Sequence, residues 1–247
     1  MPIAMPNVVS PVPNPVETDA SSPEVTMSPS NLRVKQVHEW FLPKQPDTLF
    51  WCLFIAQHGL AEYQQVDRNY GVREMEIKRL VGEYITERPF VFKETEQKIT
   101  KIGIQEIRSE LLTSAKETSL PCLVALCLYY KCNVILIDDT ERFFLEYHGV
   151  ESEVDDEVPW YVFKRNSFGK YSVLLTDQRM NGRYVTEVWK KGKYRILNPQ
   201  KPVKSMTAFR REELQELAKQ VGGNGDLLCK MKKTELYQRV VDGIKWF

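Results

Sequence analysis

The chain has 247 residues, 43% hydrophobic and 27% charged, with a formal net charge of +1. That mixture suits one ordinary globular domain with an appendage, or two small domains, and it excludes a strongly basic protein, so any nucleic-acid contact must come from a local patch. No run of about eighteen apolar residues occurs, which predicts no membrane partner, and Met1-Pro-Ile-Ala-Met-Pro6 lacks the basic and apolar regions of a signal peptide, so secretion is not expected.

Residues 1 to 30 hold seven of the fourteen prolines and no Lys or Arg. Such a segment buries too little apolar surface to offset its ordering entropy, which predicts a disordered or extended arm over 1–31. It is either a plain tail or an arm that orders along a partner. The body is expected over 32–200. Asp47 is a natural N-cap for an apolar helix, Thr48 to His58, closed by Gly59. That helix is apolar all round, so it should be central. Further helices fit Arg73 to Ile85, Gln97 to Leu112 and Leu120 to about Tyr130.

Beyond Tyr130 the period becomes extended. Val134 to Ile137 and Phe143 to Tyr147 flank Asp138-Asp139-Thr140-Glu141, a hairpin in which both aspartates read as turn residues. Glu151 to Glu157 is an acidic solvated loop. Strands are expected at Trp160 to Lys164, Tyr171 to Leu175, Tyr184 to Trp189 and Tyr194 to Leu197, with turns at Asn166 to Gly169 and Lys191 to Lys193. Helices followed by a strand meander predict an α+β body whose helices pack on an antiparallel sheet. No internal repeat stands out.

The five cysteines are Cys52, Cys122, Cys127, Cys132 and Cys229. None forms a C-x-x-C pair or has a nearby His, so no metal is expected and buried thiols are the better reading. No Gly-rich phosphate loop, G-x-S-x-G or H-E-x-x-H occurs, and no cofactor is expected. One catalytic pair suggests itself: Cys52 as nucleophile and His148, after Phe143-Phe-Leu-Glu-Tyr147, as base. Cys before His, on a central helix and at a strand end, resembles the papain-like and ovarian-tumour-type cysteine peptidases. Yet Cys52 lies more than one turn inside its helix, and Phe50, Trp51, Leu53 and Phe54 would raise its pKa. Val150 stands where an ovarian-tumour-type enzyme has Asp or Asn. His38 and His58 are poorer bases.

From Lys201 to the end, ten Lys or Arg face six Asp or Glu. Phe209, Leu214, Leu217 and Val221 recur at helical spacing, a break at Gly222, Gly223 and Gly225 follows, and Lys233 to Val240 opens a second helix. The layout over 201–247 resembles a SAP-type helix–extended–helix motif, with a longer connection. It implies backbone-directed, salt-sensitive contact with duplex DNA through Arg210, Arg211, Lys230, Lys232, Lys233 and Arg239. A two-helix cap on the sheet, or a protein-docking tail, fits equally.

Asp47-Thr-Leu-Phe-Trp-Cys52, Asn133-Val-Ile-Leu136, Phe144-Leu-Glu-Tyr147, Lys201-Pro-Val-Lys-Ser-Met206, Arg211-Glu-Glu-Leu214 and Lys232-Lys-Thr-Glu-Leu-Tyr237 occur in this order. Together they resemble a poorly characterised protein family of nucleocytoplasmic large DNA viruses. The resemblance spans about Leu42 to Tyr237 and leaves out the Pro-rich arm. It implies a viral protein of the virion, or of the infected-cell cytoplasm and virus factory, and supplies no catalytic residues. The expected function is a virion- or DNA-associated scaffold that binds nucleic acid or viral structural proteins through its tail. A cysteine peptidase, as a deubiquitinase, is the alternative, and a minor capsid component is a third class.

Overall fold

A computed structural model describes residues 39–97, 99–113, 117–149, 158–176, 180–222, 225–244 and 246. The Pro-rich arm and the acidic loop 151–157 lie outside the described residues. Strand β1 (Glu39–Phe41) leads into helices α1 (Thr48–His58), α2 (Leu60–Val66), α3 (Tyr70–Glu87), α4 (Lys101–Leu111) and α5 (Leu120–Tyr130). Strands β2 (Asn133–Asp138), β3 (Phe143–Tyr147), β4 (Trp160–Arg165) and β5 (Tyr171–Leu175) follow, then helix α6 (Gly182–Val185), strand β6 (Tyr194–Arg195) and helices α7 (Arg211–Gln220), α8 (Gly225–Leu228) and α9 (Lys233–Gly243). No helix among the described residues is long and apolar enough to cross a membrane.

Local chemistry sets most boundaries. Asp47 accepts the Phe50 N–H, and the Gly59 N–H closes α1 on the Ile55 carbonyl. Thr100 and Ser119 cap α4 and α5 in the same way, so α4 begins at Lys101 and not at Gln97. The Asp138 carboxylate accepts the backbone N–H groups of Thr140, Arg142 and Phe143, which makes it a turn residue as expected.

The six strands form one sheet in the order β1-β5-β4-β2-β3-β6. It is mixed. β2 runs parallel to β4 and β3 parallel to β6, whereas β1–β5, β4–β5 and β2–β3 are antiparallel. The expected wholly antiparallel meander fails after β3. There the chain returns to the starting end of β2, where the Asn133 N–H meets the Pro159 carbonyl at 2.9 Å.

Alternation along each strand divides the side chains between two faces. Val134, Leu136, Leu145, Phe163 and Val173 meet the helices on the first face. Ile135, Ile137, Phe144, Val162 and Leu174 face the other way, against Trp40, Met180, Val185 and Trp189.

Residues 184–189 are not the strand their β-branched and aromatic content predicts. The Asn181 side chain accepts the Tyr184 N–H, and α6 continues as a π-helical turn over Thr186–Lys190. Val185 and Trp189, four residues apart, then both bury on the second sheet face. Helical spacing of these two side chains outweighs strand propensity.

Helix α1 is enclosed because a charged cluster closes its N-terminal end. Lys78, 2% exposed, bridges Asp47 Oδ2 at 2.6 Å and Glu74 Oε1 at 2.8 Å. Asp47 Oδ2 also accepts both the N–H and hydroxyl of Thr118, and Glu74 Oε2 accepts the Trp51 indole N–H. Burial alone would lower the Lys78 pKa. The charges and hydrogen bonds of Asp47 and Glu74 together outweigh it and hold the ammonium above its ordinary value.

Candidate nucleic-acid interface

The tail helices are amphipathic and bury one face each. Leu214 and Ala218 of α7 meet Leu236 and Val240 of α9, and Leu228, Ile244 and Trp246 join the same buried cluster as the body. The apolar core therefore runs across the boundary expected between residues 200 and 201. Trp246 lies beneath the Arg165 guanidinium, 6.0 Å from its ring centroid.

The connection between α7 and α9 contains α8, so it is not simply extended. It brings α9 back parallel to α7. Near the start of α7, the Arg211 guanidinium donates to the carbonyls of Cys229 at 2.7 Å and Met231 at 3.1 Å, just before α9. At the opposite ends, Gly243 packs so tightly on Val221 that an added Cβ would lie 1.6 Å from a Val221 methyl. The two N-termini thus sit side by side. Arg142 approaches Gly222 and Trp246 meets Arg165, so these attachments to the body are at the C-terminal ends.

Both helices begin in the same unusual way. Arg210 and Lys232 occupy the N-cap positions in extended backbone. Helix N-caps favour Ser, Thr, Asp or Asn because these accept an orphan N–H. An arginine or lysine side chain has no acceptor. Glu213 and Glu235 reach back to the Arg210 and Lys232 N–H groups at 2.6 and 2.8 Å. Since neither cationic side chain can accept, the first-turn N–H groups of both helices gain no side-chain cap from Arg210 or Lys232 and are left to water. Each helix also places a cation at its positive end, which the dipole opposes by about 0.3–1 kcal/mol.

Of the predicted phosphate contacts, Arg210, Lys230, Lys232 and Lys233 belong to this end, and all but the half-buried Lys233 are exposed. Arg211 spends hydrogen bonds inside the pair. Arg239 lies six residues beyond Lys233, about 9 Å along α9, in a groove it shares with Glu235 and Asp242. The paired caps also carry a signal in the sequence. Arg210-Arg211-x-Glu213-Leu214 and Lys232-Lys233-x-Glu235-Leu236 repeat one pattern of two cations, a spacer, Glu and Leu.

No family model matches the chain, and no curated protein or solved structure does.

The fold separates Cys52 from His148. Cys52 is fully buried, and its thiol donates to the Tyr171 carbonyl at 3.2 Å on the first sheet face. Burial, with the Asp47 charge behind it, pushes its pKa well up. His148 follows β3 and contacts second-face groups: its Nε2 is 3.1 Å from Glu146 Oε1, and its ring stands edge-on to Trp160. β3 and β5 are separated by β4 and β2, about 14 Å at the usual strand spacing. The arrangement lacks a thiolate and a base within reach of it.

In the native protein, iodoacetamide is expected to label exposed Cys229 and leave Cys52 unmodified, as mass spectrometry of quenched samples will report. Labelling of both at similar rates would restore the nucleophile.

His148 instead belongs to a cluster that sequence spacing conceals. Glu146 also pairs with Lys190 and with Arg195 Nε at 3.2 Å. Burial pushes the Glu146 carboxyl up, but hydrogen bonds from His148 and Lys190, with the charges of Lys190 and Arg195, bring it down to about 2. Lys190 also sits over the Trp160 ring. Among the described residues no group of three or more His, Cys, Asp or Glu side chains could hold a metal ion.

Proposed function

We propose that the chain is an interaction protein whose tail holds the phosphate backbone of duplex DNA at the paired N-termini of α7 and α9. In the setting implied by the sequence resemblance, it serves as a virion- or virus-factory-associated scaffold. The observation that carries the reading is the cationic N-cap on each of two adjacent, parallel helices. A cation there is unfavourable in the free protein and leaves the first-turn amides capped only by water. A phosphate supplies both missing partners, since it accepts from the free N–H groups and neutralises the side chains. Local rules broken twice at one place are expected where a ligand completes the site.

Such contacts position a protein on a duplex without reading its sequence. The double variant Arg210→Ser/Lys232→Ser tests the reading because stability and binding should move in opposite directions. Serine caps are expected to raise stability by about 1 kcal/mol each in urea unfolding. Affinity for a 20-base-pair duplex at low salt should fall at least tenfold, and the slope of log K against log salt should shrink by about 1.8. A variant that is more stable and binds as tightly as the parent would remove DNA from the proposal.

A further inference from the structure

We infer that Arg211 is a positioning residue of this interface and not one of its phosphate contacts. The inference rests on the nucleic-acid reading for its effect on binding. Its structural half stands separately.

Arg211 is the first residue of α7, next to the N-cap Arg210 and followed by Glu212 and Glu213. Its guanidinium does not serve the same purpose. One terminal nitrogen donates to the Cys229 carbonyl at 2.7 Å and to the Met231 carbonyl at 3.1 Å. Those carbonyls flank Lys230 and precede the N-cap Lys232. Gln215, one turn further along α7, adds a weaker tie from its side-chain amide to the Leu228 carbonyl at 3.3 Å. The segment 228–231 is thereby fastened to the first half of α7 by its backbone.

This fastening sets which way three lysines project. Lys230, Lys232 and Lys233 lie on or just after the fastened stretch, and α9 starts two residues beyond it. A charge-assisted bond to a carbonyl is directional, so the guanidinium fixes the second N-terminus beside the first. Without it, the turn between α8 and α9 keeps its own hydrogen bonds, from Lys230 N–H to Leu227 and from Met231 N–H to Leu228, and the weaker Gln215 tie at Leu228.

Salt dependence distinguishes the two roles. A side chain that neutralises a phosphate releases counterions, and its removal lowers the log–log salt slope by about 0.9. A side chain engaged with carbonyls releases none. Arg211→Ala is therefore expected to weaken duplex binding about tenfold with an unchanged salt slope. Lys232→Ala should lower the slope by about 0.9. Arg211→Ala in the free full-length protein should also speed hydrogen exchange in residues 229–235 while leaving exchange in α1 and α5 unchanged.

A slope reduced by about 0.9 in Arg211→Ala would make Arg211 a contact and overturn the inference. Unchanged affinity together with unchanged exchange would do the same. If the parent protein binds no duplex at any salt concentration, the DNA reading falls. Selective loosening of 229–235 in Arg211→Ala would then still establish the fastening.

Discussion

Replacing Lys78 with Met is expected to destabilise the protein by roughly 3–5 kcal/mol, the usual consequence of leaving a buried charge without its partner. Lys78 is almost wholly enclosed and answers two carboxylates at once, Asp47 and Glu74. Methionine preserves most of the side-chain volume, so the loss is electrostatic and not a cavity effect. Asp47 would retain its bonds to Phe50 and Thr118, and Glu74 its bond to Trp51, but neither would face a positive charge in that pocket. Because each of these partners holds part of α1, the damage should spread to the central helix.

For a domain of this size the loss corresponds to a fall in melting temperature on the order of 10 °C. Calorimetry of Lys78→Met beside Lys78→Met/Asp47→Asn/Glu74→Gln will measure it. The triple variant removes the stranded charges and should recover much of the deficit. Equal melting temperatures for the two variants would show that the charges are not the cause. The raised Lys78 pKa adds a pH signature. Its stabilisation is complete below the ordinary lysine value and is lost as pH rises through the higher folded value.

Gly149→Ala is the second substitution with a large expected effect. An added Cβ would lie 2.1 Å from the Cys127 carbonyl oxygen and 2.5 Å from that of Cys132. Both obstacles are backbone, so no side-chain rotation relieves them. Either the turn after α5 or the end of β3 must move, and the Gly149 N–H bond to Asn133 Oδ1, at 3.0 Å, would be strained with it. Overpacking of this severity is expected to lower stability by about 3 kcal/mol or more. Gly82→Ala supplies the contrast. Its added Cβ meets nothing within 4 Å, and alanine is the better helix former, so α3 should gain about 0.5–1 kcal/mol. Urea midpoints of the two variants give the comparison, and similar small shifts for both would refute the close packing at Gly149.

Patterns confined to one helix or hairpin were legible without tertiary information. Asp47, the apolar run Leu49 to Ala56 and Gly59 fix α1 because capping and burial act within one turn. The Asp138 turn and the strands beside it are legible for the same reason. Residues 184–189 misled because valine, threonine and tryptophan favour strands locally, while Val185 and Trp189 find their burial only against a sheet formed elsewhere. The parallel pairing of β2 with β4 depends on the route between strands, which no residue in either strand encodes.

The candidate sites divide in the same way. Sequence alone determined the cations of the tail, the two helices that carry them and the apolar setting of Cys52, since each follows from residue type and local spacing. Only the tertiary structure decided that the two helices lie parallel with their cationic ends together, that Arg211 bonds the carbonyls of Cys229 and Met231, and that Cys52 and His148 belong to opposite faces of the sheet. Long-range contact depends on how the chain closes its loops and fills a common core. Residues distant in sequence become neighbours only after that closure.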